Sequence, residues 1–114
     1  MQIVNVFEEG AQGAVYSVNH PIRDDEEVIL KVYAPDEISA FKLEVKILKE
    51  LQDVNGFPIL HSAIEGNDSC EIIMQKLGRS LSSAQELAGG KFKEAIVYKI
   101  CSELVSIFLY FFYI

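Results

Sequence analysis

The sequence predicts an α+β fold: a five-stranded antiparallel sheet with one packed helix, followed by a helical segment. Three observations carry this. Short β-branched and aromatic runs, punctuated by glycine and proline, recur through the first 75 residues. Between the third and fourth of them, residues 38–51 place apolar side chains at helical spacing. Beyond Leu77-Gly78 the strand signals stop and helical ones take over.

The elements follow in order. Residues 3–7 suit a strand despite Asn5, and Gly10 to Gly13 punctuate it before Ala14 to Val18 resume, which makes a hairpin with a glycine turn. Asn19 to Glu27, with Pro21 and the acidic run Asp24-Asp25-Glu26-Glu27, reads as a solvated loop, and Val28 to Tyr33 as a third strand. Pro35-Asp36 supplies a helix start, Asp36 being a good N-cap because its carboxylate can accept orphan backbone N–H bonds. Ile38, Phe41, Val45 and Leu48 then recur on one face until Val54-Asn55-Gly56 stops the helix. Ile59 to Glu65 and Cys70 to Gln75 read as two further strands, joined by the turn Gly66-Asn67-Asp68. Later, Ser83-Ala84-Gln85-Glu86 has the form of a capping box, Gly89-Gly90 ends that short helix, and Lys93 to Phe111 reads as one longer helix. The change of pattern divides the chain into a strand-rich part, 1–76, and a helical part, 77–114.

Composition narrows the function classes. At 114 residues the chain is long enough for one domain, and half its residues are hydrophobic, which argues against disorder. A formal charge of −7 disfavours a grip on nucleic-acid phosphates, which needs a basic face. Cys70 and Cys101 lie far apart, without the paired spacing of a zinc site, and are expected to be buried free thiols in an intracellular protein, cytoplasmic or nuclear. The N-terminus has no basic region followed by a long apolar run, so no signal peptide is expected. The most apolar stretch, Val105 to Ile114, is half the length of a membrane span, which needs about 20 apolar residues, and is read as a buried core helix.

Three features could carry chemistry. Glycine in the turn between two strands permits positive φ and removes the Cβ that would hold a phosphate away from backbone N–H groups. The turn leads into a strand rather than a helix, unlike a Walker loop or a dinucleotide fingerprint, so Gly10 and Gly13 would belong to a flap over a ligand. Period-2 alternation puts Ile29, Lys31 and Tyr33 on one strand face, where Lys31 could simply be solvated. Glu44 falls within the apolar stripe of the following helix, where it could snorkel to water at the stripe edge or pair with a cation. A Lys31–Glu44 ion pair would hold the ammonium toward phosphate oxygens. His20 and His61 read as isolated loop and strand histidines, and the acidic run as a solvated charge cluster rather than a metal site.

The order of glycine flap, Val28-Ile29-Leu30-Lys31 strand and glutamate-bearing helix resembles the N-terminal lobe of eukaryotic protein kinases. Gly56-Phe57-Pro58-Ile59 and the run from Ile72 through Leu77-Gly78-Arg79-Ser80-Leu81 are similar to the casein kinase 1 branch. The likeness extends to about Tyr110, the second part matching the first helices of the C-lobe. It implies ATP as cofactor. Gly10 and Gly13 match the second and third flap glycines, Val15 and Ile29 the residues over the adenine, Lys31 the lysine on the α and β phosphates, and Glu44 its helical partner. Met74 matches the gatekeeper, and Gln75 to Leu77 the hinge that receives the adenine.

Two departures imply weak ATP binding: Glu8 stands where the first flap glycine belongs, and Ile29 replaces a small residue. Nothing in the chain resembles His-Arg-Asp or Asp-Phe-Gly, which in the complete family enzyme supply the base and the magnesium ligands. The expectation is a serine/threonine kinase fragment truncated before its catalytic loop, with no catalytic residue of its own and a protein substrate only where the remaining C-lobe is present. The alternative is a catalytically dead kinase-like module that binds a partner. In either case the apolar C-terminal helix is expected to drive self-association.

Overall fold

A computed structural model describes the backbone at residues 3–10, 13–20, 22–23 and 25–112, and the side chains of 14–20, 22–23 and 25–109. The flap tip at 11–12, Pro21, Asp24 and the last two residues lie outside the described set, as do the side chains of Glu8 and of residues 110–112. Strands β1 (Ile3–Gly10), β2 (Gly13–Asn19) and β3 (Glu27–Tyr33) precede helix α1 (Ile38–Glu50), strands β4 (Leu60–Glu65) and β5 (Cys70–Gln75), and helices α2 (Leu81–Leu87) and α3 (Glu94–Phe112). The fold is α+β. All strand pairings are antiparallel, in the order β1-β2-β3-β5-β4. Strands β2 to β5 carry described side chains, and β1 adds its backbone at the edge beside β2.

The chain divides into two compact units, Met1–Leu77 and Gly78–Ile114. In the first, the sheet buries residues on both faces. Tyr33, Cys70 and Ile72 point to the α1 side and pack with Phe41 and Leu48 of the helix, the Tyr33 and Phe41 rings meeting edge to face at 5.9 Å. Val18, Val28 and Ile73 form a separate cluster, joined by Tyr16 and Leu30. Strand alternation explains the separation: Tyr33 pairs with Cys70 and Val18 with Val28, so each cluster joins cross-strand neighbours on opposite faces.

Several local details depart from the sequence reading. Asp36 does not cap α1. Pro35–Glu37 form a 3-10 turn instead, and the cap position falls to Glu37 without a side-chain bond. The fixed φ of Pro35 favours that tighter turn ahead of the α-helix. Helix α1 ends at Glu50, with the N–H of Leu51 donating to the carbonyls of Ile47 and Leu48, and Gly56, at φ 104°, turns the chain five residues after this cap. The end of α1 is tied to the next strand by Gln52, whose amide donates to the carbonyls of Leu48 (2.7 Å) and Pro58 (3.2 Å) and accepts from the Leu60 N–H (2.8 Å).

In the second unit, Ser80 rather than Ser83 caps α2, its hydroxyl accepting from the Ser83 N–H at 3.1 Å. The capping-box spacing misled because Ser80 stands three residues before another serine, and either could start a helix. Gly89 and Gly90, at φ 83° and 94°, follow α2. Cys70 is free and buried, but Cys101 is exposed on α3, contrary to the expected burial. Its neighbours along the helix, Val97, Val105 and Phe108, are themselves exposed.

Candidate functional site

The site is built on the α1-facing side of the sheet. In the β2–β3–β5 ladder, Val15 pairs with Lys31 and Lys31 with Ile72, while Ile29 pairs with Met74. Directly opposed residues share a face, and residues two apart on one strand do as well. Val15, Ile29, Lys31 and Met74 therefore line one surface. Gly10 and Gly13 pair with each other at the far end of the hairpin from the Ile3–Val18 pair, two residues before Val15 along β2.

Helix α1 contributes the counter-charge. Both oxygens of the Glu44 carboxylate accept from the Lys31 ammonium, at 3.1 and 3.0 Å. About 29% of the Lys31 side chain and 27% of that of Glu44 remain accessible. The Tyr33 ring lies 5.5 Å from Nζ and adds a π face to the ammonium's surroundings. Pairs this accessible typically contribute about 1 kcal/mol or less to stability, so the ion pair is weak as a structural tie. Its stronger effect is orientation. An ammonium has three donors and rotates on a flexible stem, and a bidentate carboxylate fixes its position while leaving one N–H to aim at another anion.

Gln75, opposite Val28, ends the ladder, and the chain then leaves the sheet. The Gln75 N–H donates to the carbonyl of Ile59 at 2.8 Å, while its side-chain carbonyl accepts from the Ile59 N–H at 3.1 Å. Alternation turns the Gln75 side chain away from the Lys31 face. Leu77 lies two residues beyond, in a stretch without regular structure, and is 57% exposed.

No family model matches this chain, and no curated protein is found to be similar to it.

Two features were missed in the sequence. Lys76 forms an ion pair with Glu27, whose carboxylate also accepts from the Ser17 hydroxyl at 3.3 Å. The hydrogen bond and charge of Lys76 hold the Glu27 carboxyl below its ordinary value. Glu27 thus opens β3 rather than belonging to a solvated charge run. The antiparallel register was the missing signal: Val28 opposes Gln75, so Glu27 meets the next residue along. The second feature is that His20 and His61 are not isolated. Their rings meet edge to face at 5.4 Å, and Nδ1 of His20 accepts from the N–H groups of Ile22 and Arg23. Among the described residues, no three His, Cys, Asp or Glu side chains come together in a way that could hold a metal ion.

Proposed function

We propose that residues 3–77 form a nucleotide-binding lobe of the protein kinase type, similar to casein kinase 1, that takes ATP by its phosphates. In this reading Lys31 contacts the α and β phosphates, Glu44 orients it, and the Gly10–Gly13 end of the β1–β2 hairpin covers the triphosphate. Val15, Ile29 and Met74 flank the adenine, and the backbone of Gln75 to Leu77 receives its edge. The family activity would be phosphoryl transfer to serine and threonine hydroxyls of a protein substrate. One observation carries the reading: an ammonium from the sheet is clasped by both oxygens of a helix carboxylate, on the face that also presents Val15, Ile29 and Met74.

Calorimetric titration of the full chain with ATP, and separately with adenosine, tests it. Lys31→Met should weaken ATP at least tenfold while leaving adenosine within twofold, and Glu44→Gln should weaken ATP by about three- to tenfold, each tenfold being about 1.4 kcal/mol. Equal ATP affinity in Lys31→Met and the parent would remove the reading. The half-buried Ile29 beside Met74 favours a second one, in which the lobe is a catalytically dead module that binds a protein partner and no nucleotide. Absence of any calorimetric or thermal-shift response to millimolar ATP would select it.

A further inference from the structure

A concavity of the first unit lies on the other flank of α1 from Glu44. It is a groove of about 410 Å³ between the helix and β4, lined by Phe41, Lys42, Val45, Lys46, Lys49, Ala63 and Glu65. Helical geometry explains its character. At about 100° per residue, Phe41, Val45 and Leu48 form the stripe that meets the sheet, and Lys42, Lys46 and Lys49 form a second stripe directly beside it. The groove therefore has an apolar floor, with Phe41 buried, and a wall of three lysines within two helical turns.

The charge is unusual for this molecule. The chain carries 17 acidic against 10 basic residues, yet three of the ten line this one groove. Among the described residues Glu65 is the single carboxylate lining it, and its contact with Lys42 is long, 3.7 Å, between two well-exposed side chains. Such a pair is worth little and is readily exchanged for another anion. Three clustered lysines repel one another, a cost that an acidic ligand would relieve.

We infer that this groove is a docking site for an extended acidic segment of a partner protein, with one large apolar side chain seated on Phe41, Val45 and Ala63 and flanking carboxylates on Lys42, Lys46 and Lys49. The apolar anchor supplies most of the affinity, and the charges supply register and association rate. A basic or neutral segment is disfavoured by the same wall. The inference is independent of the nucleotide reading, because the groove opens on the flank of α1 away from Glu44 and none of its lining residues is assigned to the nucleotide.

The test uses the full chain and a fluorescein-labelled peptide, Gly-Asp-Asp-Glu-Phe-Asp-Glu-Gly, followed by anisotropy and by amide chemical shifts. Binding should perturb the amides of Val45, Lys46 and Ala63. It should weaken at least tenfold when the peptide phenylalanine is replaced by alanine, and at least tenfold in Lys46→Glu/Lys49→Glu, whose exposed positions leave folding intact by circular dichroism. Lys46→Arg/Lys49→Arg should retain binding within threefold. No binding at millimolar peptide would overturn the inference. So would equal binding of the alanine peptide, which would reduce the lysines to a solvated stripe attracting any polyanion, or shifts confined to other surfaces.

Discussion

The two units of this chain use apolar residues in opposite ways. In Met1–Leu77 they converge: Val18, Val28 and Ile72 are fully buried, and two clusters close on opposite faces of one sheet. In Gly78–Ile114 they spread. Helix α3 carries Ile96, Val97, Tyr98, Leu104, Val105, Phe108 and Leu109 around about 220° of its circumference, and all seven are exposed. Among the described residues from 78 onward, none is buried. A sheet brings distant segments edge to edge, so alternate residues gain neighbours from several strands at once. Two helices of 7 and 19 residues bring no sheet against which an apolar surface that wide could be covered. No helix among the described residues is long and apolar enough to cross a membrane.

The contrast can be broken most sharply by truncating one residue in each unit. Ile72→Ala removes a fully buried side chain at the centre of the α1-facing cluster and should cost about 2 to 5 kcal/mol in urea unfolding. Val97→Ala should change the midpoint by less than about 0.5 kcal/mol equivalent, as exposed positions do. Comparable losses at both sites would mean that the second unit has a core after all.

An intermediate effect should appear in association. Exposed apolar patches this extensive mark interfaces, so the full chain should self-associate in sedimentation velocity at tens of micromolar. Val105→Glu/Leu109→Glu should return it to the monomer, whereas Ile22→Glu, another exposed apolar position but in the first unit, should not. A parent chain that stays monomeric would sever exposure from association.

The smallest effect concerns pH. Because the hydrogen bond and charge of Lys76 hold the Glu27 carboxyl below its ordinary value, the native state binds fewer protons at this site than the unfolded chain does. The stabilisation is therefore complete above the ordinary carboxylate value and is lost as pH falls through the lowered one. Melting temperatures followed from about pH 6 to pH 3 should fall less steeply in Glu27→Gln than in the parent. Identical slopes would show that the pair does not tie the end of β5 to β3.

Patterns with a short repeat were legible in the sequence. Alternation at Ile29, Lys31 and Tyr33 placed these residues on one face, and the helical spacing of Phe41, Val45 and Leu48 identified the buried side of α1. Glu44 within that stripe pointed to Lys31, and the two side chains are bonded. What depended on register or on competing local bonds was not legible. Lys76 with Glu27 required knowing that Val28 opposes Gln75, and His20 with His61 required a loop to reach another strand. The choice between Ser80 and Ser83 rested on one turn of backbone. The lysine groove was not legible because the spacing of 42, 46 and 49 does not show that β4 supplies the opposite wall.

The three hydrogen bonds of Gln52 make α1 a lever with a pinned end. The amide clasps the last turn of the helix to the start of β4, whereas the opposite end joins β3 through Ala34 and a short 3-10 turn. Glu44 lies eight residues from that pivot, about 12 Å along the axis at 1.5 Å per residue. A tilt of about 15° would carry its carboxylate some 3 Å, as far as the whole length of its bond to Lys31. Keeping that carboxylate at bonding distance therefore depends on the angle of α1 against the sheet, which Gln52 fixes at one end and the packing of Phe41 and Leu48 fixes along its length.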